Sequence, residues 1–140
     1  MSANDQKEVV ELYKSWCAAF QSLDVSGMKK LFDQEFQGLI YQSEETESPM
    51  YTWGEIDAYW DNIPGIVSSI PEWRVLDEKV AVDDDTATVY LKLATHIELV
   101  GAKEPLVGVL RATLGARKRD GVWRLVSLHE SRHVDLAHLF

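Results

Sequence analysis

Residues 111–129 read Arg111-Ala-Thr-Leu-Gly-Ala-Arg-Lys-Arg-Asp-Gly-Val-Trp-Arg-Leu-Val-Ser-Leu-His129. The dipeptide Asp120-Gly121 is typical of tight hairpin turns, and apolar and polar residues alternate on both sides of it. The stretch therefore predicts two antiparallel strands, one from Leu106 to Lys118 and one from Val122 to about His133.

The second of these strands runs into a pattern that also occurs in zinc hydrolases, His129-Glu130-Ser131-Arg132-His133. Zinc catalysis needs both histidines on one face of a helix, Glu130 as the general base and a third protein ligand. The residues before His129 favour a strand instead, and His138 follows His129 by nine positions where the extended zinc pattern needs ten. We therefore predict no metal site and keep a zinc hydrolase only as a remote alternative.

Length and composition indicate one domain, over residues 1–140, without nucleic-acid or membrane partners. The chain is 46% hydrophobic and 26% charged, with a formal net charge of −9. This acidic balance argues against binding to a nucleic-acid backbone, and no apolar run approaches membrane-spanning length. The first residues lack the apolar segment of a signal peptide, and the single Cys17 cannot form an internal disulfide. We expect a cytoplasmic protein without a cofactor.

The first half of the chain is predicted to be helical. Apolar residues at three- and four-residue spacing indicate a first helix from about Asn4 to Ser22. Asp24 is the expected N-cap of a short second helix. Thr52 is the expected N-cap of a third helix, which Pro64-Gly65 should interrupt because proline lacks a backbone N–H.

The second half is predicted to form a sheet. Residues 73–82 and 87–99 alternate between apolar and polar side chains and indicate two further strands, with a turn at residues 83–85. Residues 36–41 should add a short strand, and residues 42–49 an exposed loop. Helices followed by antiparallel strands predict an α+β fold, in which a curved sheet around the long first helix leaves a pocket at its open end.

Three segments carry a family resemblance: Leu23-Asp-Val-Ser-Gly-Met-Lys-Lys-Leu-Phe32, Arg111-Ala-Thr113 and Asp120-Gly-Val-Trp-Arg-Leu-Val-Ser-Leu-His-Glu-Ser131. Together with the element order, they resemble the SnoaL-like branch of the nuclear-transport-factor-2-like superfamily. The resemblance implies a cone-shaped half-barrel, with a curved, mainly antiparallel sheet around the long N-terminal helix and two shorter helices. The last segment is also similar to the association domain of calcium/calmodulin-dependent kinase, whose pocket Arg aligns with Glu130. Because this fold serves many functions, it does not select one.

The resemblance to ketosteroid isomerase implies three catalytic positions, and all three are changed here. Trp16 aligns with the Tyr that donates to the enolate oxygen, and residues 39–41, which align with the catalytic base, contain no carboxylate. The second oxyanion donor aligns near Thr113 or Leu114. We therefore do not expect steroid isomerisation by that family's own mechanism.

The length of the hairpin turn decides which face of the last strand enters the pocket. A three-residue loop with a bulge at residues 119–121 places Val126, Leu128 and Glu130 on the inner face, whereas a two-residue loop places His129 there. Glu130 is therefore the candidate catalytic acid or base, and His129 takes that place in the alternative register. The candidate ligand contacts are Trp16, Phe20, Tyr59, Trp60, Leu114, Val126 and Leu128. Aromatic residues at helical spacing, however, more often belong to a core than to a ligand site.

We predict a domain that binds a small hydrophobic molecule in an apolar pocket. It would act as a lyase, isomerase or cyclase with a single pocket acid or base, or as a non-catalytic binding or oligomerisation module. Apolar residues on both faces of the strands at 87–99 and 106–118 predict a homodimer formed through the outer face of the sheet.

Overall fold

Residues 3–140 of the chain are described by a computed structural model, with the exception of the side chain of His138. The elements are α1 (Ala3–Gln21), α2 (Val25–Lys29), β1 (Ile40–Gln42), α3 (Trp53–Ile66), β2 (Val67–Asp83), β3 (Thr86–Leu99), β4 (Leu106–Arg119), β5 (Val122–Arg132) and a terminal 3₁₀ helix (Leu136–Leu139). No helix in this described range combines the length and the apolar character that crossing a membrane requires.

The five strands form one open, curved sheet in the order β1-β5-β4-β3-β2. Neighbouring strands from β2 to β5 are antiparallel, while β1 runs parallel to β5 at the opposite edge from β2. The long helix α1 packs mainly against β2. This arrangement confirms the predicted α+β class, with a curved sheet, a long N-terminal helix and two shorter helices.

The core lies between the helices and the inner face of the sheet. Helix α1 contributes a buried face at three- and four-residue spacing, and the strands contribute every second side chain. The largest fully buried side chains are Trp16, Met28, Leu39, Tyr41, Ile56, Trp60, Leu91, Leu93, Leu110, Leu114, Leu125 and Leu128. Full burial of one such aliphatic side chain stabilises the fold by about 1.5–3 kcal/mol, which makes this layer the main source of stability.

Buried acidic side chains fasten the turn end of the β4–β5 hairpin. Arg119 donates two hydrogen bonds to Asp33, at 2.6 and 2.9 Å, and Asp33 is only 2% exposed. These hydrogen bonds lower the pKa of the Asp33 carboxyl. Asp5 of α1 accepts hydrogen bonds from the Trp123 indole at 3.1 Å and from Lys118 at 2.9 Å. Both contacts hold the hairpin at the end away from Glu130.

Two predicted element boundaries are wrong because of prolines. Helix α3 continues through Pro64 to Ile66, since the missing N–H costs one hydrogen bond near the helix end and the N–H of Val67 still bonds to Ile63. Strand β2 begins at Val67, directly after the helix, and not at residue 73. Pro71 is accommodated because the pairing register with β3 shifts between Ser69 and Glu72.

Shorter segments also differ from the prediction. Strand β1 covers only Ile40–Gln42 instead of residues 36–41, and the turn between β2 and β3 consists of Asp84 and Asp85 alone. The loop at 42–49 is not fully exposed, since Ser43 is 1% exposed. The Gln42 amide donates to the carbonyl oxygens of Ser43 and Thr46 at 3.0 and 2.7 Å, which folds the loop back on itself.

The hairpin between β4 and β5 corrects the predicted turn. Arg119 pairs with Val122, so the turn has two residues, Asp120 and Gly121, and both have positive φ. Further along β5 the register shifts by one residue, because Ser127 pairs with Gly115 and Leu125 pairs with Ala116. Val126 is therefore the extra residue of a bulge.

This bulge restores the register that the short turn would have reversed. Glu130 pairs with Ala112 and is buried on the inner face, whereas His129 pairs with Thr113 and is exposed on the outer face. The alternative register with His129 inward is therefore wrong, although the two-residue turn that was expected to cause it is present.

Candidate functional site

A cavity of about 300 Å³ lies at the open end of the sheet, between the helices and the ends of β3, β4 and β5. Its walls are mostly apolar and are formed by Phe20, Ile63, Ile66, Val67, Ile97, Leu99 and Leu106. Four polar side chains complete the lining, namely Glu44, Glu45, Tyr59 and Glu130. An apolar chamber with a few polar groups at one side is the usual form of a small-molecule site.

Glu130 is the most unusual of these polar groups. Its side chain is only 5% exposed, and its Oε2 atom has no hydrogen-bond partner within the described residues. Burial raises the pKa of this carboxyl well above its ordinary value, and the negative charges of Glu44 and Glu45 raise it further. A hydrogen bond from the Glu44 backbone N–H and the charge of Arg132 oppose this effect in part. The site therefore favours the neutral, protonated acid.

Two tyrosines surround the carboxyl groups. The Tyr59 hydroxyl donates a hydrogen bond of 2.5 Å to Glu45, and burial followed by this hydrogen bond raises the Tyr59 pKa. Tyr41 is completely buried, and its pKa is raised by burial and then by the charge of Glu130. Both phenols therefore keep their protons. Among the described residues the Tyr41 hydroxyl forms no well-aligned hydrogen bond, although the Trp60 indole lies beside it as a donor.

An ion pair joins the loop after β1 to the end of β5. Arg132 pairs with Glu44, and the same guanidinium donates to the Thr95 hydroxyl at 3.1 Å. Strand β1 runs parallel to β5 with Gln42 opposite His129, so the residues that follow Gln42 arrive beside the end of β5. Glu44 and Glu45 reach the cavity for this reason. The sequence offered no local signal for this, because the pairing is between segments far apart in the chain.

The predicted ligand contacts divide between the cavity and the core. Phe20 and Tyr59 line the cavity. The other five do not line it but lie buried in the core: Trp16, Trp60, Leu114, Val126 and Leu128. The two indoles form a layer behind the cavity wall, since each packs edge-on against Phe20, with ring centroids 5.4 and 5.2 Å away. Trp16 therefore cannot take the position of the isomerase's catalytic Tyr at the cavity surface.

The zinc pattern lacks the geometry that a zinc hydrolase requires. His129 and Glu130 are neighbours on a strand and point to opposite faces of the sheet, and the exposed His133 follows the end of that strand. Within the described part of the chain, no group of three His, Cys, Asp or Glu side chains is placed to hold a metal ion. The side chain of His138 lies outside the described part.

Comparison with known proteins supports the architecture. The SnoaL-like domain family matches residues 9–135. A solved structure from Streptomyces avermitilis, proposed to be a dehydratase of the nuclear-transport-factor-2-like family, has a TM-score of 0.80 at 18% identity and covers 94% of this chain and 98% of its own. A protein of unknown function from Pseudomonas putida KT2440 has the same TM-score and identity, with coverages of 99% and 93%.

A proposed calcium/calmodulin-dependent protein kinase II association domain from Xanthomonas campestris is also similar. Its TM-score is 0.70 at 19% identity, over 91% of this chain and 87% of that one. At these identities the likeness concerns the fold alone. No curated protein matches the chain in sequence.

Proposed function

Since the chain belongs to the family of SnoaL-like domains, we propose that it binds a small hydrophobic molecule in its apolar cavity and exchanges a proton with that molecule through Glu130. The observation that carries this proposal is the Oε2 atom of the buried Glu130 on the cavity wall, which has no hydrogen-bond partner among the described residues. A buried polar group without a partner costs folding free energy, and a ligand atom can satisfy it.

A neutral carboxylic acid on an apolar wall is suited to general acid–base chemistry. It can donate its proton to a carbonyl oxygen or a leaving hydroxyl, and the resulting carboxylate can then accept a proton from carbon. Such a group typically accelerates a reaction by about 10²–10⁴-fold. Isomerisation, elimination of water and ring closure all use this pair of steps, so the proposal covers an isomerase, a lyase or a cyclase.

The binding part of the proposal is tested with the neutral fluorescent dye N-phenylnaphthylamine. We expect one dye site per chain and quenching of tryptophan fluorescence, because Trp60 and Trp73 pack directly on Phe20 at centroid distances of 5.2 and 4.4 Å. Leu106→Trp should fill the cavity and weaken binding by about tenfold or more, a loss of about 1.4 kcal/mol.

The neighbouring residue provides the matched control. Val107 is 59% exposed and does not line the cavity, so Val107→Trp adds the same indole without filling it. This variant should bind the dye as the parent does. Equal binding by Leu106→Trp and the parent would show that the dye lies elsewhere and would reject the cavity as the site.

The proton-transfer part is tested with Glu130→Gln. The amide has nearly the same shape as the protonated acid, so dye binding should persist. Any turnover found in a screen of hydrophobic ketones and alcohols should fall by about 10²-fold or more. The control is Glu78→Gln, which changes an exposed residue of β2 and should retain the turnover of the parent chain. Full turnover by Glu130→Gln would leave a binding site in which Glu130 has no catalytic part.

A further inference from the structure

The polar side of the cavity carries more negative than positive groups. Three glutamates line it, and the nearby guanidinium of Arg132 is engaged by one of them, Glu44. Neither Glu45 nor Glu130 forms an ion pair within the described residues, and Glu45 accepts its hydrogen bond from the neutral Tyr59. Two carboxyl groups at the cavity surface therefore lack a cationic partner.

A second observation indicates that one of these groups is placed for a ligand. Glu130 is more than nine-tenths buried and lines the cavity, yet its Oε2 atom makes no hydrogen bond with any described residue. The remaining walls are apolar and can take a hydrocarbon skeleton. The whole chain is also acidic, with a formal net charge of −9, which attracts cations and repels anions during encounter.

We propose that the ligand is a hydrophobic amine, whose protonated nitrogen pairs with Glu130 while its carbon skeleton fills the apolar cavity. This inference rests on the binding part of the function proposed above and names the class of molecule that the site accepts. With an amine bound, Glu130 is a carboxylate, which can accept a proton from the ligand but has none to donate. The negative charge of Glu45 adds to the attraction for the ammonium group. A carboxylate ligand would instead meet three glutamates, and an alcohol would gain a single neutral hydrogen bond.

Binding of the amine is coupled to the release of a proton. The neutral acid form of Glu130 gives its proton to solvent, and the ammonium group takes the place of that proton beside the carboxylate. The titratable or charged groups that face Glu130 are Glu44, Glu45, Tyr41, Tyr59 and Arg132. Because a proton leaves, the affinity for the amine should rise with pH until the amine itself loses its charge.

The test compares phenylbutylamine, phenylbutanol and phenylbutyrate, which share one skeleton and differ in the head group. Isothermal titration calorimetry at neutral pH should give an affinity for the amine about tenfold or more above that for the alcohol, since a hydrogen bond between charged groups is worth more than a neutral one. Titrations in two buffers of different ionisation enthalpy should show release of up to one proton per amine bound and none per alcohol.

Two variants separate the effect of Glu130 from the effect of the chain's overall negative charge. Glu130→Gln should bind the alcohol as the parent does and should lose both the preference for the amine and the proton release. Glu78→Gln removes one acidic group from the exposed surface and should keep both. If Glu130→Gln does not fold, the proton release measured with the parent chain tests the amine proposal instead, because that measurement needs no variant.

The possible failures of the two proposals are distinguishable. Equal affinity for amine and alcohol, or a tighter complex with the butyrate, overturns the amine assignment. In that case, alcohol binding that Leu106→Trp abolishes leaves the proposed cavity function standing. If the parent binds none of the three compounds and also fails to bind the neutral dye, both proposals are wrong.

Discussion

At the scale of single residues, Glu130 places function and stability in conflict. Its carboxyl group is only 5% exposed, and one of the two oxygens has no partner in the described part of the chain, which destabilises the folded state. Groups with strongly raised pKa values are concentrated at functional sites, because a group poised to give up a proton must be held in surroundings that disfavour its charge. The cost of Glu130 is therefore measurable, and it depends on pH.

We expect Glu130→Gln to stabilise the protein increasingly as pH rises. The pKa of Glu130 is raised in the folded chain, so above its ordinary value of 4.5 the unfolded chain loses this proton first. Below that pH the proton on Glu130 makes its full contribution to the free energy of unfolding, and this contribution is lost as pH increases. Urea unfolding should show similar stabilities near pH 4 and a gain for the variant of about 1 kcal/mol or more at pH 8. A gain in stability that is the same at pH 4 and at pH 8 would contradict a raised pKa of Glu130 in the folded chain.

At the scale of elements, the β4–β5 hairpin shows how two local features combine to place one side chain. The turn at Asp120-Gly121 alone would point Glu130 outward, and the bulge at Val126 turns it inward again. The turn is recognisable in the sequence because of its dipeptide. The bulge is not, because Leu125 and Val126 are both apolar and either residue fits either face.

The turn glycine should be sensitive to substitution for a conformational reason alone. Gly121 has φ +77° and open space where a side chain would begin, so Gly121→Ala should destabilise the protein by about 1 kcal/mol through backbone strain. Gly54 also has open space around it, but it lies in helix α3 and its φ is not positive. Gly54→Ala should instead stabilise by about 0.5–1 kcal/mol. Thermal unfolding of both variants checks this, and equal shifts would contradict the explanation.

At the scale of the whole molecule, the fold was predictable from the sequence to a greater extent than the cavity. Periodicity along α1 and β3 is local, so it indicates both elements and their buried faces. The cavity instead depends on contacts between distant segments, such as Arg132 with Glu44 and Tyr59 with Glu45. An aromatic residue at helical spacing can line a cavity or lie one layer behind it, and only packing decides, as Phe20 and Trp60 show.

The outer face of the sheet gives the last prediction, a homodimer. Val107, on the outer face of β4, is 59% exposed, and Ile40 at the sheet edge is 47% exposed. We expect light scattering to report a dimer at micromolar concentration. Thr113→Arg places a charge in the middle of this face, beside the exposed His129, and should give a folded monomer. Ser15→Arg, on the exposed side of α1, should remain dimeric. A monomeric parent chain would contradict the predicted dimer. A dimer disrupted by Ser15→Arg but not by Thr113→Arg would show that the chains associate through α1 and not through the sheet.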